Sequence, residues 1–351
     1  MPTEFQDVAK TFAVKTLPDS EVEVTGDIPA DVVAKYHDRA LNHIAEHIDL
    51  PGFRKGHVPA DIALKKVGDI AVLEEAVELA LKDIYPAVLI EHKIDAVGSP
   101  DVRITKLAPG NPVSIVIHAA VYPTITLPKD WKELHKNIAL IEAEPATVEE
   151  VEKTVESLRQ SRKTKAEDGT EVVPELTDEF AKTLGAFADL AALREQITKG
   201  ITEEKARTAR DTRRGKIIDA VLEKTEVAIP KIFVESELDK IMGQMQEDIT
   251  RFNMTFDDYL KRVGKTVEEV RNEFREQATK RAKLQLTLNE MAKAENIVAD
   301  EAAVEQEMKH ALEHFPEARP DLVKVHIETV LRNEKTLKVM EGEVEAETKT
   351  E

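Results

Sequence analysis

A change of hydrophobic period partway along the chain predicts the fold class: an α+β N-terminal domain followed by a mostly α-helical C-terminal domain with helical arms, elongated and multidomain. Before residue 128, four short stretches alternate apolar and polar residues; beyond it, apolar residues recur at helical spacing. Composition points the same way. With 33% charged and only 4% aromatic residues, the apolar content is mainly Ala, Val, Leu and Ile, a mixture suited to long amphipathic helices. A length of 351 residues accommodates two or three domains.

The elements follow in order. "TFAVKTL" and "EVEVTG" alternate, with Phe12, Val14, Val22 and Val24 on one face and turn chemistry, "PDS", between them, so they predict a hairpin. From Ala30 to Ile48, Val32, Val33, Tyr36, Ala40, Leu41 and Ile44 mark one amphipathic helix that Pro51 and Gly52 end. "ADIALKKVGD" predicts a short helix closing near Gly68. Leu73, Val77, Leu81, Ile84 and Val88 mark a longer one. "DVRITKL" and "SIVIHAAV" predict strands, the second with Ile115, Ile117, Ala119 and Val121 on one side. Residues 1–128 thus form one α+β domain.

Residues 129–173 read as a helix and linker. Thr147 and Glu150 make a capping box ahead of an apolar stripe at Val148, Val151, Val155 and Leu158, and "AEDGTEVVPEL" breaks that helix. Residues 174–341 read as successive helices: one through "LAALREQITKGITEEKARTARDTRRGKIIDAVLEK", one opened by Pro230, one from Val267 to Ala294 and two flanking "FPEARPD". The acidic segment 342–351 lacks core-forming residues and reads as a disordered tail.

Charge and motif content narrow the function classes. A formal charge of -19 opposes contact with nucleic acid over most of the surface, so no DNA partner is expected. Arg207, Arg210, Arg213 and Arg214 form a basic run, but no aromatic residues interleave to stack bases, and pairing with nearby glutamates is the better reading. The chain has no cysteine, which excludes thiolate catalysis. It has neither a phosphate-cradling glycine loop nor a Gly-x-Ser-x-Gly elbow, so no cofactor is expected. No apolar run approaches the ~18 residues that span a bilayer, and the first seventeen residues lack an apolar core behind basic ones. The expected compartment is the cytoplasm, with no membrane partner.

One enzyme motif competes. "HIAEH" places His43 and His47 one turn apart with Glu46 between them, the pattern of an inverted zinc peptidase. Tyr36, Ala40, Ile44 and Ile48 define the packed face, which leaves the imidazoles at its edge or in solvent. No third ligand accompanies them, so neither metal nor catalysis is expected.

The stretch "GFRKGHVP" remains. Gly52 and Gly56 open backbone angles closed to other residues, and Pro51 and Pro59 stiffen the ends, which favours a protruding turn. Over residues 50–68, Arg54, Lys55, Lys65 and Lys66 face only Asp61, a cationic patch on an acidic chain. With Phe53 at its tip the loop suits a polyanion or an acidic groove; alternatively Phe53 tucks into its own domain.

Gly52, Phe53, Arg54, Gly56 and Pro59 meet the pattern Gly-Phe-Arg-x-Gly-x-x-Pro, which is similar to the ribosome-binding signature of the bacterial trigger factor family. The likeness extends through the early hairpin, the paired strands before Pro123, "PELTDEFAKTLG" and the helical remainder. It implies an ATP-independent chaperone that docks by this loop, with Phe53, Arg54 and Lys55 in contact, on the large ribosomal subunit near the exit tunnel. There it would shield hydrophobic segments of nascent or unfolded polypeptides, and a homodimer is a possible further state. The family's usual FKBP-type prolyl isomerase domain has no room between "RKTK" and "PELTDEF", so isomerase activity is not expected.

Client contacts would come from apolar residues of the arms: Met242, Met245, Phe252, Met254, Phe256, Met308 and Phe315. Taken singly, methionine and phenylalanine at helical spacing are more often ordinary core, so the expectation rests on the collective surface. A holdase or assembly factor that works without the ribosome is the alternative.

Overall fold

The computed structural model describes residues 3–54, 56–165 and 171–343. In chain order the elements are α1 (Thr3–Ala9), β1 (Ala13–Leu17), β2 (Glu21–Ile28), α2 (Ala30–Ala34), α3 (His37–His47), α4 (Ala60–Val67), α5 (Asp69–Glu91), β3 (Ala96–Lys106), β4 (Val113–Val121) and β5 (Ile125–Thr126). A short 3-10 helix (Leu134–Asn137) precedes α6 (Val148–Ser161), β6 (Thr164–Lys165), β7 (Glu171–Val172), α7 (Asp178–Leu184) and α8 (Leu190–Lys224). The chain continues as β8 (Glu226–Val227), α9 (Lys231–Arg251), α10 (Phe256–Val263), α11 (Val267–Ala294), α12 (Glu301–His314) and α13 (Pro320–Glu341). The expected class holds: a small antiparallel sheet early in the chain, then helices.

Two compact units form, neither continuous in sequence. The first joins residues 1–126 to 226–286. Its sheet is antiparallel in the order β1-β2-β4-β3, with Val22 opposite Ala119 and Val24 opposite Ile117. Period-two alternation sends Val22, Val24, Ile28, Ile115 and Ile117 inward, where they bury against Val77, Leu81, Ile84 and Val88 of α5. Val14 pairs with Val24 but stays exposed on the edge strand, so only part of the expected β1 face is core. A Cβ on Gly26 would come within 2.6 Å of the Phe12 ring, which is why β2 carries a glycine there. The later segment attaches through β5–β8 pairing, a 2.9 Å hydrogen bond from Ser20 Oγ to the Ala228 carbonyl, and the edge-on rings of Tyr122 and Phe233.

The single helix expected over 30–48 is two. The Lys35 and Tyr36 N–H groups turn back to the carbonyls of Val32 and Val33, three residues away. The Tyr36 ring is thereby buried, and its hydroxyl donates to Asp83 at 2.8 Å.

The second unit comprises residues 127–225 and 287–351. The capping box of α6 forms: the Thr147 N–H donates to Glu150 Oε2 at 2.8 Å and the Glu150 N–H to Thr147 Oγ1 at 3.3 Å. Val151 and Val155 of its stripe are buried, whereas Val148 is exposed. Glu150 also receives Lys205 Nζ at 2.7 Å and Glu152 receives Arg194 Nε at 2.6 Å, which fastens α6 to α8. Arg214 of α8 reaches Glu334 and the buried Glu341 of α13, and Arg213 donates to the carbonyls of His135 and Ile138. These two arginines are therefore clamps inside the unit, while Arg207 and Arg210 stay exposed. In the linker, β6 and β7 pair as a two-stranded ribbon around residues 166–170, which lie outside the described residues, as does the expected tail from residue 344.

Candidate functional site

The loop between α3 and α4 is anchored at both ends and bare between them. Val58 is buried with Ala45 and Ala63, and Leu50, Ile48 and Ile62 pack on this small cluster. Within the loop, the Phe53 N–H donates to the Leu50 carbonyl at 3.1 Å and the His57 N–H to the Arg54 carbonyl at 3.0 Å. Gly52 and Gly56 adopt φ of +93° and +81°, in the region that side chains disfavour. Pro59 stands at the N-cap of α4 with φ -59°. The Phe53 side is 39% exposed and Arg54 is exposed, so the ring is not packed away in its own unit. Lys65 and Lys66 are exposed on α4. Lys55 lies outside the described residues.

A second candidate is a groove of about 640 Å³ formed by α9, α10, α11 and the α9–α10 turn. Of the client residues expected there, Met245, Phe252 and Met254 line it. Met242 and Phe256 do not: Met242 is buried with Leu260 and Val270, and Phe256 packs on that cluster, its ring stacked on Tyr259 with centroids 6.2 Å apart. They form the floor beneath the groove. Phe252 is 81% exposed at the C-cap of α9. Ile241, Ile249, Tyr259 and Phe274 complete the apolar wall and were not foreseen, although Ile241, Met245 and Ile249 follow the four-residue spacing that marks one helix face. Asp248, Arg262 and Arg281 give the rim both charge signs.

Ion pairs keep the two long walls in register. Arg271 and Arg275 of α11 each approach Glu235 of α9 at 2.6 Å, and Arg271 also meets Asp239 at 2.7 Å. The Arg275 guanidinium, then that of Arg271, holds the Glu235 carboxyl below its ordinary range. Thr266 and Glu269 form a capping box at the start of α11, the Thr266 N–H donating to Glu269 at 2.7 Å.

The other expected client residues belong to the second unit. Met308 is half-buried on α12, and Phe315 stands 69% exposed at the C-cap of that helix.

At the zinc-peptidase pattern, His43 Nδ1 lies 2.9 Å from Glu75 and His47 Nδ1 is 2.8 Å from the His43 carbonyl. The imidazoles are thus tied to a neighbouring helix and to their own backbone, and Glu46 is exposed beside them. Among the described residues no three or more His, Cys, Asp or Glu side chains gather to hold a metal, and no helix is long and apolar enough to cross a membrane.

The chain thus combines an α+β layer that displays an anchored loop with helices that enclose an apolar groove. The family described as bacterial trigger factor protein matches residues 10–158, and its C-terminal model matches residues 189–348. This chain belongs to the trigger factor family of molecular chaperones. Only residues 159–188 separate the matched spans, so the chain lacks the middle isomerase domain. Among relatives, the trigger factor of Caldicellulosiruptor saccharolyticus is 26% identical over 356 residues, covering 76% of this chain and 79% of that one. The trigger factor of Moorella thermoacetica is 22% identical and covers 90% and 89%. The trigger factor of Streptomyces coelicolor is 25% identical and covers 85% and 81%. A solved structure from work on promiscuous substrate recognition in folding and assembly activities of the trigger factor chaperone is similar in fold. Its TM-score is 0.51 at 18% identity, covering 95% of this chain and all of that one.

Proposed function

We propose that this chain is an ATP-independent chaperone that docks on the large ribosomal subunit near the exit tunnel and shields hydrophobic segments of nascent polypeptides. Gly52, Phe53, Arg54, Lys55, Gly56 and Pro59 are the docking residues in this reading. The observation that carries it is the exposed Phe53–Arg54 tip, held out by a loop whose ends are fastened by Val58 and Leu50. A local cationic knob on a chain of charge -19 gives docking one orientation, because the remaining surface repels a polyanion. Function divides along the chain: residues 1–128 dock, 174–341 cradle clients and 129–173 connect the two without an isomerase. Met245, Phe252 and Met254 offer the adaptable apolar contacts a client needs. No catalytic step is assigned, the compartment is the cytoplasm, and a homodimer is available off the ribosome.

Sedimentation with large ribosomal subunits tests the reading. The Phe53→Ala, Arg54→Ala, Lys55→Ala variant is expected to stay in the supernatant, and wild-type pelleting is expected to weaken as salt rises. Undiminished pelleting of the variant overturns docking through this loop. Should that variant also suppress client aggregation as well as wild type, the apolar groove favours the second reading, a holdase or assembly factor independent of the ribosome.

A further inference from the structure

Helix α12 ends in a pair of imidazoles that neither docking nor client binding uses. His310 and His314 stand one turn apart, both exposed, with their Nε2 atoms 3.2 Å from each other. At the zinc–imidazole bond length of about 2.1 Å, two nitrogens separated by that distance subtend an angle of about 100° at a shared ion. That angle falls between octahedral and tetrahedral geometry. The rings meet edge to face at 82°, so their Nε2 edges converge without stacking.

We propose that His310 and His314 form a chelating site for one divalent transition-metal ion of borderline softness, Zn²⁺, Ni²⁺ or Cu²⁺. As a neutral pair, the rings hold this spacing when one Nε2–H donates to the other Nε2. To bind, that ring moves its proton to Nδ1, so both Nε2 lone pairs face the ion, both rings remain neutral and no proton is released. Water fills the remaining positions, because no third protein ligand gathers among the described residues. The surroundings favour a cation: residues 305–317 carry Glu305, Glu307, Glu313 and Glu317 against Lys309 alone. Imidazole selects these metals over Mg²⁺ and Ca²⁺, which prefer oxygen. The other pair at this spacing differs. The rings of His43 and His47 lie 39° apart with centroids at 4.4 Å, a tilted arrangement instead of the edge-to-face meeting at Nε2 that His310 and His314 make.

Titration of Ni²⁺ alone into the full chain, followed by calorimetry, tests the site. The His310→Gln, His314→Gln variant is expected to lose one equivalent, and each single substitution to weaken that equivalent at least tenfold. The His43→Gln, His47→Gln variant is expected to keep it, and Mg²⁺ to give no comparable signal. The proposal is overturned if the His310/His314 variant binds with wild-type stoichiometry, if the lost equivalent follows His43 and His47, or if wild type takes up no Ni²⁺. Because both side chains are exposed, circular dichroism of the variants should match wild type, and the single substitutions provide a second reading should the double variant fail to fold.

Discussion

The loop at residues 50–59 and the groove of α9, α10 and α11 present apolar surface in opposite ways. The loop holds one ring and one guanidinium in a fixed turn, with two left-handed glycines setting the backbone and a buried valine at its base. The groove spreads methionine, isoleucine and aromatic side chains over three helices and the α9–α10 turn, with a mixed-charge rim. A rigid tip loses little entropy on docking and suits one partner surface. An open wall with flexible methionines adapts to many. Under the proposed function, specificity would reside in backbone constraint and breadth in side-chain freedom.

Removing the tip should have the largest effect. Burial of the Phe53 ring in a partner contributes about 1.5–3 kcal/mol, and a charge-assisted contact from Arg54 adds about 1.5–3 kcal/mol. Replacing Phe53, Arg54 and Lys55 by alanine is therefore expected to weaken ribosome binding by about a hundredfold or more, with the melting temperature unchanged. If melting falls with binding, the tip supports the fold and the contrast fails. Next comes the groove, where wall and floor should separate. Met242→Ala opens a cavity among buried residues and is expected to reduce stability by about 2–5 kcal/mol in denaturant unfolding. Phe252→Asp at an exposed position should leave stability within about 0.5 kcal/mol while lowering suppression of client aggregation. Equal stability losses for the two would show that Phe252 is structural.

How far each region could be read beforehand follows from what builds it. Glycine and proline punctuate the loop, and their constraints are local, so the positive φ at Gly52 and Gly56 and the helix start at Pro59 were legible. The sheet faces at Val22, Val24, Ile115 and Ile117 were legible for the same reason, since alternation is local too. The groove is a property of three helices packed together. Periodicity marked Met242 and Met245 alike as apolar, but only packing decides that Met242 lies beneath and Met245 lines the wall. Similarly, periodicity did not tell the break at Tyr36 from continued helix, because what accompanies the break is burial of the Tyr36 ring and a hydrogen bond to Asp83, forty-seven residues away. The attachment of residues 226–286 to the early sheet is longer-range still and left no periodic trace.

Loop rigidity can be probed without removing any contact. Gly52→Ala and Gly56→Ala each force a side chain into a positive φ, at about 1–2 kcal/mol, while a Cβ at Gly52 would meet no atom within 4 Å. Each is expected to weaken docking by roughly five- to thirtyfold, because the loop relaxes and the tip is displaced. Docking that survives both substitutions would mean the tip needs no preset shape.

The smallest effect concerns α6, which neither the loop nor the groove includes. The Lys205 ammonium, then the Thr147 N–H and hydroxyl, hold the Glu150 carboxyl down to about 2, against an ordinary value of 4.5. A carboxyl depressed on folding adds stability that is fully present above 4.5 and fades as pH falls from there toward 2, once the folded state must take up the proton. Glu150→Gln retains an oxygen for the Thr147 N–H but gives up the attraction to Lys205. Its melting temperature should lie about a degree below wild type at pH 7, and the gap should close between pH 4.5 and 2. A gap that widens on acidification would reverse the sign and assign the capping box, rather than the ion pair, the role of fastening α6 to α8.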